Sequence, residues 1–156
     1  MKSEDEVGML SPEEYMAMSG ERLLSRYEYR ELLEGGGCRI IQPDLMHAGG
    51  LTEVRRIAVL ADTWYVAVAP HNPGGPICTM AAMHLAAAIP NFFILEQMEP
   101  QRATRDGASW PAVRFEAGHF VLPTAPGLGI EPDLEFLAGQ EFQPQPRSER
   151  RGVLWR

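Results

Sequence analysis

Short apolar runs alternate with helical segments between residues 20 and 96, and this alternation constrains the fold more than any other feature of the sequence. The apolar runs at residues 38–41, 66–69 and 92–95 have the length of buried strands. Between them, apolar residues recur at intervals of three and four, which is the spacing of one face of an α-helix. Single helices between successive strands are typical of βαβ units, so the sequence predicts a parallel sheet with helices packed against it.

The helical pattern predicts three helices in this region. The first ends at the three glycines of residues 35–37, which suit a C-terminal cap. The second carries an apolar stripe across residues 54–64, and the third carries one across residues 77–88. His84 lies on the third stripe, so we expect a buried or half-buried histidine there and not a ligand.

The chain divides into four segments by composition. They are an atypical N-terminal segment (1–19), the strand-and-helix region (20–96), a C-terminal segment (97–139) that is polar and irregular up to Ser109, and a tail (140–156). A capping box of Ser11 and Glu14 with Pro12 between them predicts a short helix near residue 12. Ala117 and Gly118 lie between two short apolar runs and predict a hairpin. The tail has too little apolar surface to offset the entropy of ordering, so we expect it to be disordered.

Composition and charge exclude several classes of protein. The chain has 156 residues, of which 45% are hydrophobic, and its net charge is −7, so we expect one globular domain that binds neither nucleic acid nor anionic membrane. No apolar run approaches the ~20 residues that span a bilayer. The two cysteines form no CxxC pair, and the first ten residues are acidic where a signal peptide would be basic, which predicts a reducing cytoplasm.

Each of the three apolar runs leads into an ionisable residue. Asp44, His71 and Glu96 follow the runs in turn, roughly 25 residues apart, which is room for one strand, one helix and two loops. Neighbouring strands lie ~4.8 Å apart, so a carboxylate at one strand end can reach an imidazole at the next. Active sites of α/β folds are built at this end of the sheet.

The three residues have a shared chemical logic. Asp44 would accept a hydrogen bond from one nitrogen of His71 and leave the other nitrogen to take a proton from a substrate. Glu96, if protonated, could donate to a developing enolate oxygen. The alternative is that these polar residues only cap the strand ends. His47 lies three residues after Asp44 in a strand-to-helix loop, where it could contact a substrate or serve only as a polar loop residue.

Several motifs in the order of the chain resemble one known family. They are Gly20-Glu21-Arg22, the run from Ile40 to Gly50 that contains Gln42-Pro43-Asp44-Leu45, Ala69-Pro70-His71, the run from Ile89 to Glu96, and Pro126-Gly127-Leu128-Gly129-Ile130-Glu131. The sequence resembles the enolase superfamily, within it the mandelate racemase subgroup, and most closely the acid-sugar dehydratases of the galactonate dehydratase type.

The resemblance implies a fold and a boundary for each part. The fold would be α/β, namely the C-terminal portion of a (β/α)7β TIM-type barrel with about four parallel strands and their helices, plus a short C-terminal β or irregular segment. Residues 20–96 would be the partial barrel, and residues 97–139 would pack on the barrel or on the capping domain of the family.

The resemblance also implies roles for single residues. Glu21 would be one of three Mg²⁺ ligands, Asp44 and His71 would be the Asp-His dyad, and Glu96 would be the acid at the last strand. The family reaction removes the proton α to a carboxylate, stabilises the enediolate on Mg²⁺ and expels the β-hydroxyl as water to give a 2-keto-3-deoxy acid.

Two functions of different class remain open from the sequence. The first is the C-terminal part of a Mg²⁺-dependent acid-sugar dehydratase, a lyase whose partners are a sugar acid and the rest of the barrel with its capping domain. The second is a noncatalytic, truncated half-barrel that associates with itself or is a relic. A complete barrel takes ~250 residues, so we expect the isolated chain to be inactive and to bind Mg²⁺ poorly.

Overall fold

The structure is a computed structural model that describes residues 18–98 and 107–140. In these ranges it contains seven short strands and four helices, and none of these helices is long and apolar enough to cross a membrane. The helix expected near residue 12 lies outside the described residues, and so does the tail expected to be disordered, apart from Gln140.

The first three strands form the parallel sheet that the sequence predicts. β1 (Met18–Ser19), β2 (Ile40–Ile41) and β3 (Ala67–Val68) are neighbours in that order, and both pairings are parallel. One helix lies between each pair of strands, α1 (Arg26–Glu34) and α2 (Gly50–Asp62). β1 lies in the segment we treated as atypical, so the sheet begins two residues before the expected boundary at residue 20.

The strand expected at residues 92–95 is reduced to a single parallel bridge between Phe92 and Val68. The amide of Val68 donates to the Asn91 carbonyl at 2.8 Å, and the amide of Phe93 donates to the Val68 carbonyl at 2.9 Å. The next donor from β3 on this side would be residue 70, which is a proline and has no N–H. The ladder therefore stops after one bridge, although the segment lies where the fourth strand was expected.

The helices cover the sheet with an apolar core. The core joins Tyr29 and Leu33 of α1, Ile57 of α2 and Leu85 of α3 (Pro76–Ala88) to Ile41 and Val68 of the sheet. The glycine prediction for α1 is confirmed, because Gly35 caps this helix and its amide donates to the Glu31 carbonyl. Four side chains of α2 are fully buried and its charged residues lie on the other side, as the apolar stripe predicts.

The C-terminal segment packs on α3. It contains β4 (Ser109–Trp110), β5 (Phe115–Glu116), β6 (His119–Phe120), β7 (Glu131–Pro132) and α4 (Leu134–Ala138). β5 and β6 form the predicted hairpin, and its turn places both Ala117 and Gly118 at positive φ. Val113 is buried against Met80 and Met83 of α3. His84 is half-buried, as expected, and its Nε2 lies 3.3 Å from the Leu128 carbonyl.

Candidate active site

Asp44 and His71 lie side by side at the carboxyl-terminal edge of the sheet. They form a parallel bridge three residues beyond the ends of β2 and β3, so both side chains point to the same face of the sheet. Pro43 and Pro70 precede them and cannot donate to the ladder, and both strands end two residues earlier. The sequence prediction that these strand ends bring the two residues together is confirmed by their contact.

The carboxylate of Asp44 is buried and accepts hydrogen bonds from two donors. Its Oδ2 lies 2.8 Å from Nδ1 of His71, and its Oδ1 accepts the backbone amide of Met46 at 2.7 Å. A carboxylate only accepts hydrogen bonds, so in neutral His71 the ring proton sits on Nδ1 and the lone pair on Nε2. Asp44 is 1% exposed, whereas the His71 side chain is 27% exposed. The imidazole is therefore held by Asp44 at Nδ1 and is open on the side of Nε2.

Glu96 lies on the open side of His71. Its Oε2 is 4.0 Å from His71 Nε2 and accepts the backbone amide of Asn72 at 2.8 Å. The three residues expected from the strand ends thus form one cluster, in which the imidazole lies between a buried and a half-exposed carboxylate. A proton acceptor and a proton donor facing one small space can serve acid and base steps on the same substrate.

His47 is beside the cluster and mostly exposed. Its Nδ1 lies 3.9 Å from Oδ2 of Asp44, the oxygen that already binds His71, and its side chain is 56% exposed. This separation is too long for a hydrogen bond. The exposed imidazole of His47 is therefore near Asp44 but not hydrogen-bonded to it.

Glu21 follows β1 at the same edge of the sheet, and Tyr29 fixes the turn that leads to it. The Tyr29 hydroxyl is buried and donates to the carbonyl of Gly20. Gly20 has φ +112°, and a Cβ there would lie 2.9 Å from the Tyr29 ring. Burial raises the pKa of Tyr29 well above its usual range, and the nearby carboxylates of Glu21 and Asp44 raise this pKa further. Glu21 is 40% exposed and pairs with Arg22 at 3.6 Å.

The described residues do not form a complete Mg²⁺ site. Within residues 18–98 and 107–140, no group of three His, Cys, Asp or Glu side chains has the arrangement of a metal site. Mg²⁺ requires a near-octahedral shell of oxygen atoms. Glu21 is a single carboxylate, so among the described residues it does not make such a shell by itself.

Asn72 and Thr79 belong to the site and were missed from the sequence. Both are buried, and their side chains hydrogen-bond to each other next to Glu96. Two signals could have found them. Asn72 directly follows the strand-end histidine, and Thr79 is a single hydroxyl within the apolar run of α3.

The comparisons with known proteins identify the family of this chain. The chain belongs to the enolase C-terminal domain-like family, which matches residues 12–136. Two curated relatives are D-galactonate dehydratases, one from Cronobacter sakazakii at 37% identity and one from Ralstonia nicotianae at 38% identity, each over 144 residues. The chain spans 37% of the length of each of these relatives, and the matches cover 88% of this chain.

Solved structures give the same family. A member of the enolase superfamily from Salmonella Typhimurium is 35% identical with a TM-score of 0.74, and the match covers 78% of this chain and 31% of that one. A mandelate racemase/muconate lactonizing enzyme from Jannaschia sp. CCS1 is 32% identical with a TM-score of 0.77, covering 83% of this chain and 33% of that one. The fold described above is therefore that of an enolase superfamily C-terminal domain.

Proposed function

We propose that this chain is the C-terminal part of an acid-sugar dehydratase, in which Asp44, His71 and Glu96 carry the proton transfers. The observation that carries the proposal is the part-buried 2.8 Å contact between Asp44 and His71, with Glu96 on the open side of the imidazole. The naming of two relatives as D-galactonate dehydratases supports this class of reaction. D-Galactonate is the first substrate to try.

In the proposed reaction His71 is the base. Its Nε2 lone pair takes the proton α to the substrate carboxylate, and the C–H electron pair moves into the carboxylate to form an enediolate. The Asp44 carboxylate keeps the Nδ1 proton in place and stabilises the imidazolium that results. A base with a free lone pair near neutral pH is needed for this step, and an imidazole supplies one.

Glu96 is proposed as the acid of the cluster. In its protonated form it donates a hydrogen bond to the enediolate oxygen, where negative charge develops. The enediolate then expels the β-hydroxyl, which would leave as water after taking a proton from an acid outside the described residues. The resulting enol gains a proton at its β-carbon and loses its hydroxyl proton to give the 2-keto-3-deoxy acid. We propose His47 as a substrate contact, because its exposed ring lies beside the cluster.

Glu21 is proposed as one Mg²⁺ ligand of the complete enzyme. Its carboxylate is half-exposed at the edge of the sheet that also carries Asp44 and His71. The other ligands would come from outside the described residues, so no step of the proposed reaction at His71 and Glu96 is derived through the metal.

We propose that the rest of a (β/α)7β barrel covers the open side of segment 92–95. Phe92, Phe93 and Ile94 are between 38% and 45% exposed, and they line a groove of about 800 Å³ with α3 and the β5–β6 hairpin. An unpaired strand edge with apolar side chains favours pairing with another strand. The two free, buried cysteines fit a reducing cytoplasm as the location.

The same exposed segment favours a second candidate, a noncatalytic chain that associates with itself. If this candidate holds, sedimentation shows a stable oligomer, and replacing Phe93 by Glu dissociates it. Because segment 92–95 is open in either case, association of the isolated chain alone does not separate the two candidates. Only an activity assay of the completed enzyme does so.

The test joins this chain to the N-terminal portion of a D-galactonate dehydratase relative that the chain does not match. The completed protein is incubated with D-galactonate and a panel of other sugar acids in the presence of Mg²⁺, and the 2-keto-3-deoxy acid product is measured. We expect turnover of at least one acid, and loss of turnover in the His71→Asn variant. A folded chimera that dehydrates none of the acids contradicts the proposal.

A further inference from the structure

The segment that carries Glu96 has little support from the sheet. It pairs with β3 through the one bridge at Phe92, and Pro70 supplies no further amide. Glu96 lies four residues beyond that bridge. A side chain at the end of so weak a strand needs other contacts if its carboxyl is to keep one orientation.

Asn72 makes those contacts at the carboxyl end of the segment. Its backbone amide donates to Oε2 of Glu96 at 2.8 Å, and its Nδ2 donates to the main-chain carbonyl of Glu96 at 3.0 Å. One residue therefore holds both the backbone and the carboxyl of Glu96. Asn72 directly follows His71, so the hold on Glu96 is tied to the position of the imidazole.

Thr79 fixes the orientation of the Asn72 side chain. Its Oγ1 lies 3.2 Å from Nδ2 and 3.3 Å from Oδ1 of Asn72, so the hydroxyl can accept from one atom and donate to the other. Asn72 is 2% exposed and Thr79 is fully buried. Water cannot replace these bonds at a buried pair, and the removal of one partner leaves the other unsatisfied.

We propose that Asn72 and Thr79 are positioning residues that hold the Glu96 carboxyl in one orientation beside His71. Oε2 already accepts the Asn72 amide, and among the described residues Oε1 has no partner. When Glu96 is protonated, the proton therefore sits on Oε1, which is the oxygen available to donate. This inference rests on the proposed role of Glu96 and adds the two residues that orient its carboxyl.

Asn91 offers a matched control at the other end of the same segment. Its Nδ2 donates to the carbonyls of Ala58 and Val66 at 3.0 and 2.9 Å, so it also ties the segment to its neighbours through an amide group. Asn91 precedes the bridge at Phe92 and lies at the opposite end of the segment from Glu96. Asn91→Ala should destabilise the fold about as much as Asn72→Ala without changing the site.

The first test measures hydrogen exchange of the Asn72 backbone amide in the full chain, relative to the amide of Ile57 in the core. Thr79→Val keeps the size of the side chain but removes the hydroxyl, and we expect it to speed exchange at Asn72 by about tenfold or more. Thr79→Ser restores the hydroxyl and should return exchange to the parental rate. Unchanged exchange in Thr79→Val would overturn the proposal.

The second test uses the completed enzyme. We expect Thr79→Val to lower kcat by about tenfold while KM changes by less than about twofold, because donation from Glu96 matters only in the transition state. In a Glu96→Gln background the same substitution should have no further effect on kcat. Asn91→Ala should lower thermal stability and leave kcat near the parental value. An equal loss of kcat in Asn91→Ala and Thr79→Val would show a structural role only and overturn the proposal.

The two tests separate this inference from the proposed function. If the completed parental enzyme is inactive but Thr79→Val speeds exchange at Asn72, the hold on Glu96 stands and the proposed function fails. If the parental enzyme is active and Thr79→Val changes neither exchange nor kcat, the proposed function stands and this inference fails.

Discussion

Replacing Asp44 by Asn should change which nitrogen of His71 carries the proton. The carboxylate accepts two donors, the Met46 amide at 2.7 Å and His71 Nδ1 at 2.8 Å. An asparagine has one acceptor oxygen and one amino group. If its oxygen keeps the Met46 amide, its amino group faces Nδ1 of His71, which must then accept. The proton of neutral His71 would move to Nε2, the atom proposed to take the substrate proton.

The expected loss of stability is modest. Hydrogen bonds to a charged group contribute about 1.5–3 kcal/mol each and neutral ones about 0.5–1.5 kcal/mol. Two bonds therefore lose about 2–3 kcal/mol in Asp44→Asn, and the easier burial of a neutral amide offsets part of this. We expect a net loss of about 1–2 kcal/mol, or a fall of about 2–8 °C in Tm for a chain of this size.

The assay is nitrogen NMR of the imidazole in the full chain, above the pH at which the ring is protonated. We expect the Nδ1–H form in the parent and the Nε2–H form in Asp44→Asn. In the completed enzyme the variant should slow removal of the α-proton by about 10⁴-fold, as expected for a histidine base held in the wrong tautomer. His84→Asn is the control, since His84 contacts the Leu128 carbonyl away from the site. The same tautomer of His71 in parent and variant would refute this reasoning.

Three further predictions concern the buried groups around the site. Tyr29→Phe removes the hydrogen bond to the Gly20 carbonyl, so Tm should fall by about 2–12 °C for a loss of about 1–3 kcal/mol; an unchanged melting curve would contradict this contact. Gly20→Ala should be more destabilising than Tyr29→Phe in the same melting assay, because its Cβ would lie 2.9 Å from the Tyr29 ring at a φ of +112°. Burial and the charge of Asp44 raise the pKa of the Cys78 thiol to about 11, so iodoacetamide at pH 8 should modify it about 10²-fold more slowly than free cysteine. The pKa of this thiol is higher in the folded state, so the thiol stabilises the fold below its unfolded pKa of ~8.5. This contribution is lost as the pH rises toward 11. The free energy of unfolding, measured by urea titration, should therefore be lower at pH 10.5 than at pH 8.

The alternating strands and helices of the fold were predictable from the sequence. Apolar runs and helical stripes give the parallel order of β1, β2 and β3 and the helices between them, because both periods are set by the backbone. The contact between Asp44 and His71 also follows, since equivalent ends of neighbouring parallel strands meet. These inferences need only local spacing and sheet geometry.

Other features depend on contacts that spacing does not encode. The sequence predicts a strand at residues 92–95, but the missing N–H of Pro70 limits it to one bridge with β3. The stripe on α3 predicts a buried Ile77, yet this side chain is 49% exposed in the first turn of the helix, although Met80 on the same stripe is buried. Asn72 and Thr79 show the same limit, since their pairing arises only when α3 packs beneath the end of β3.

The central claim is that His71 removes the substrate α-proton, and solvent exchange in the completed protein tests it most directly. The chimera is incubated with the sugar acid that it dehydrates in deuterium oxide, and incorporation of deuterium at the α-carbon is followed by NMR. We predict that the parental protein exchanges this proton and that His71→Asn abolishes the exchange, because no other lone pair of a neutral imidazole lies between the two carboxylates of the described site. Exchange at the parental rate in a folded His71→Asn protein would contradict the account.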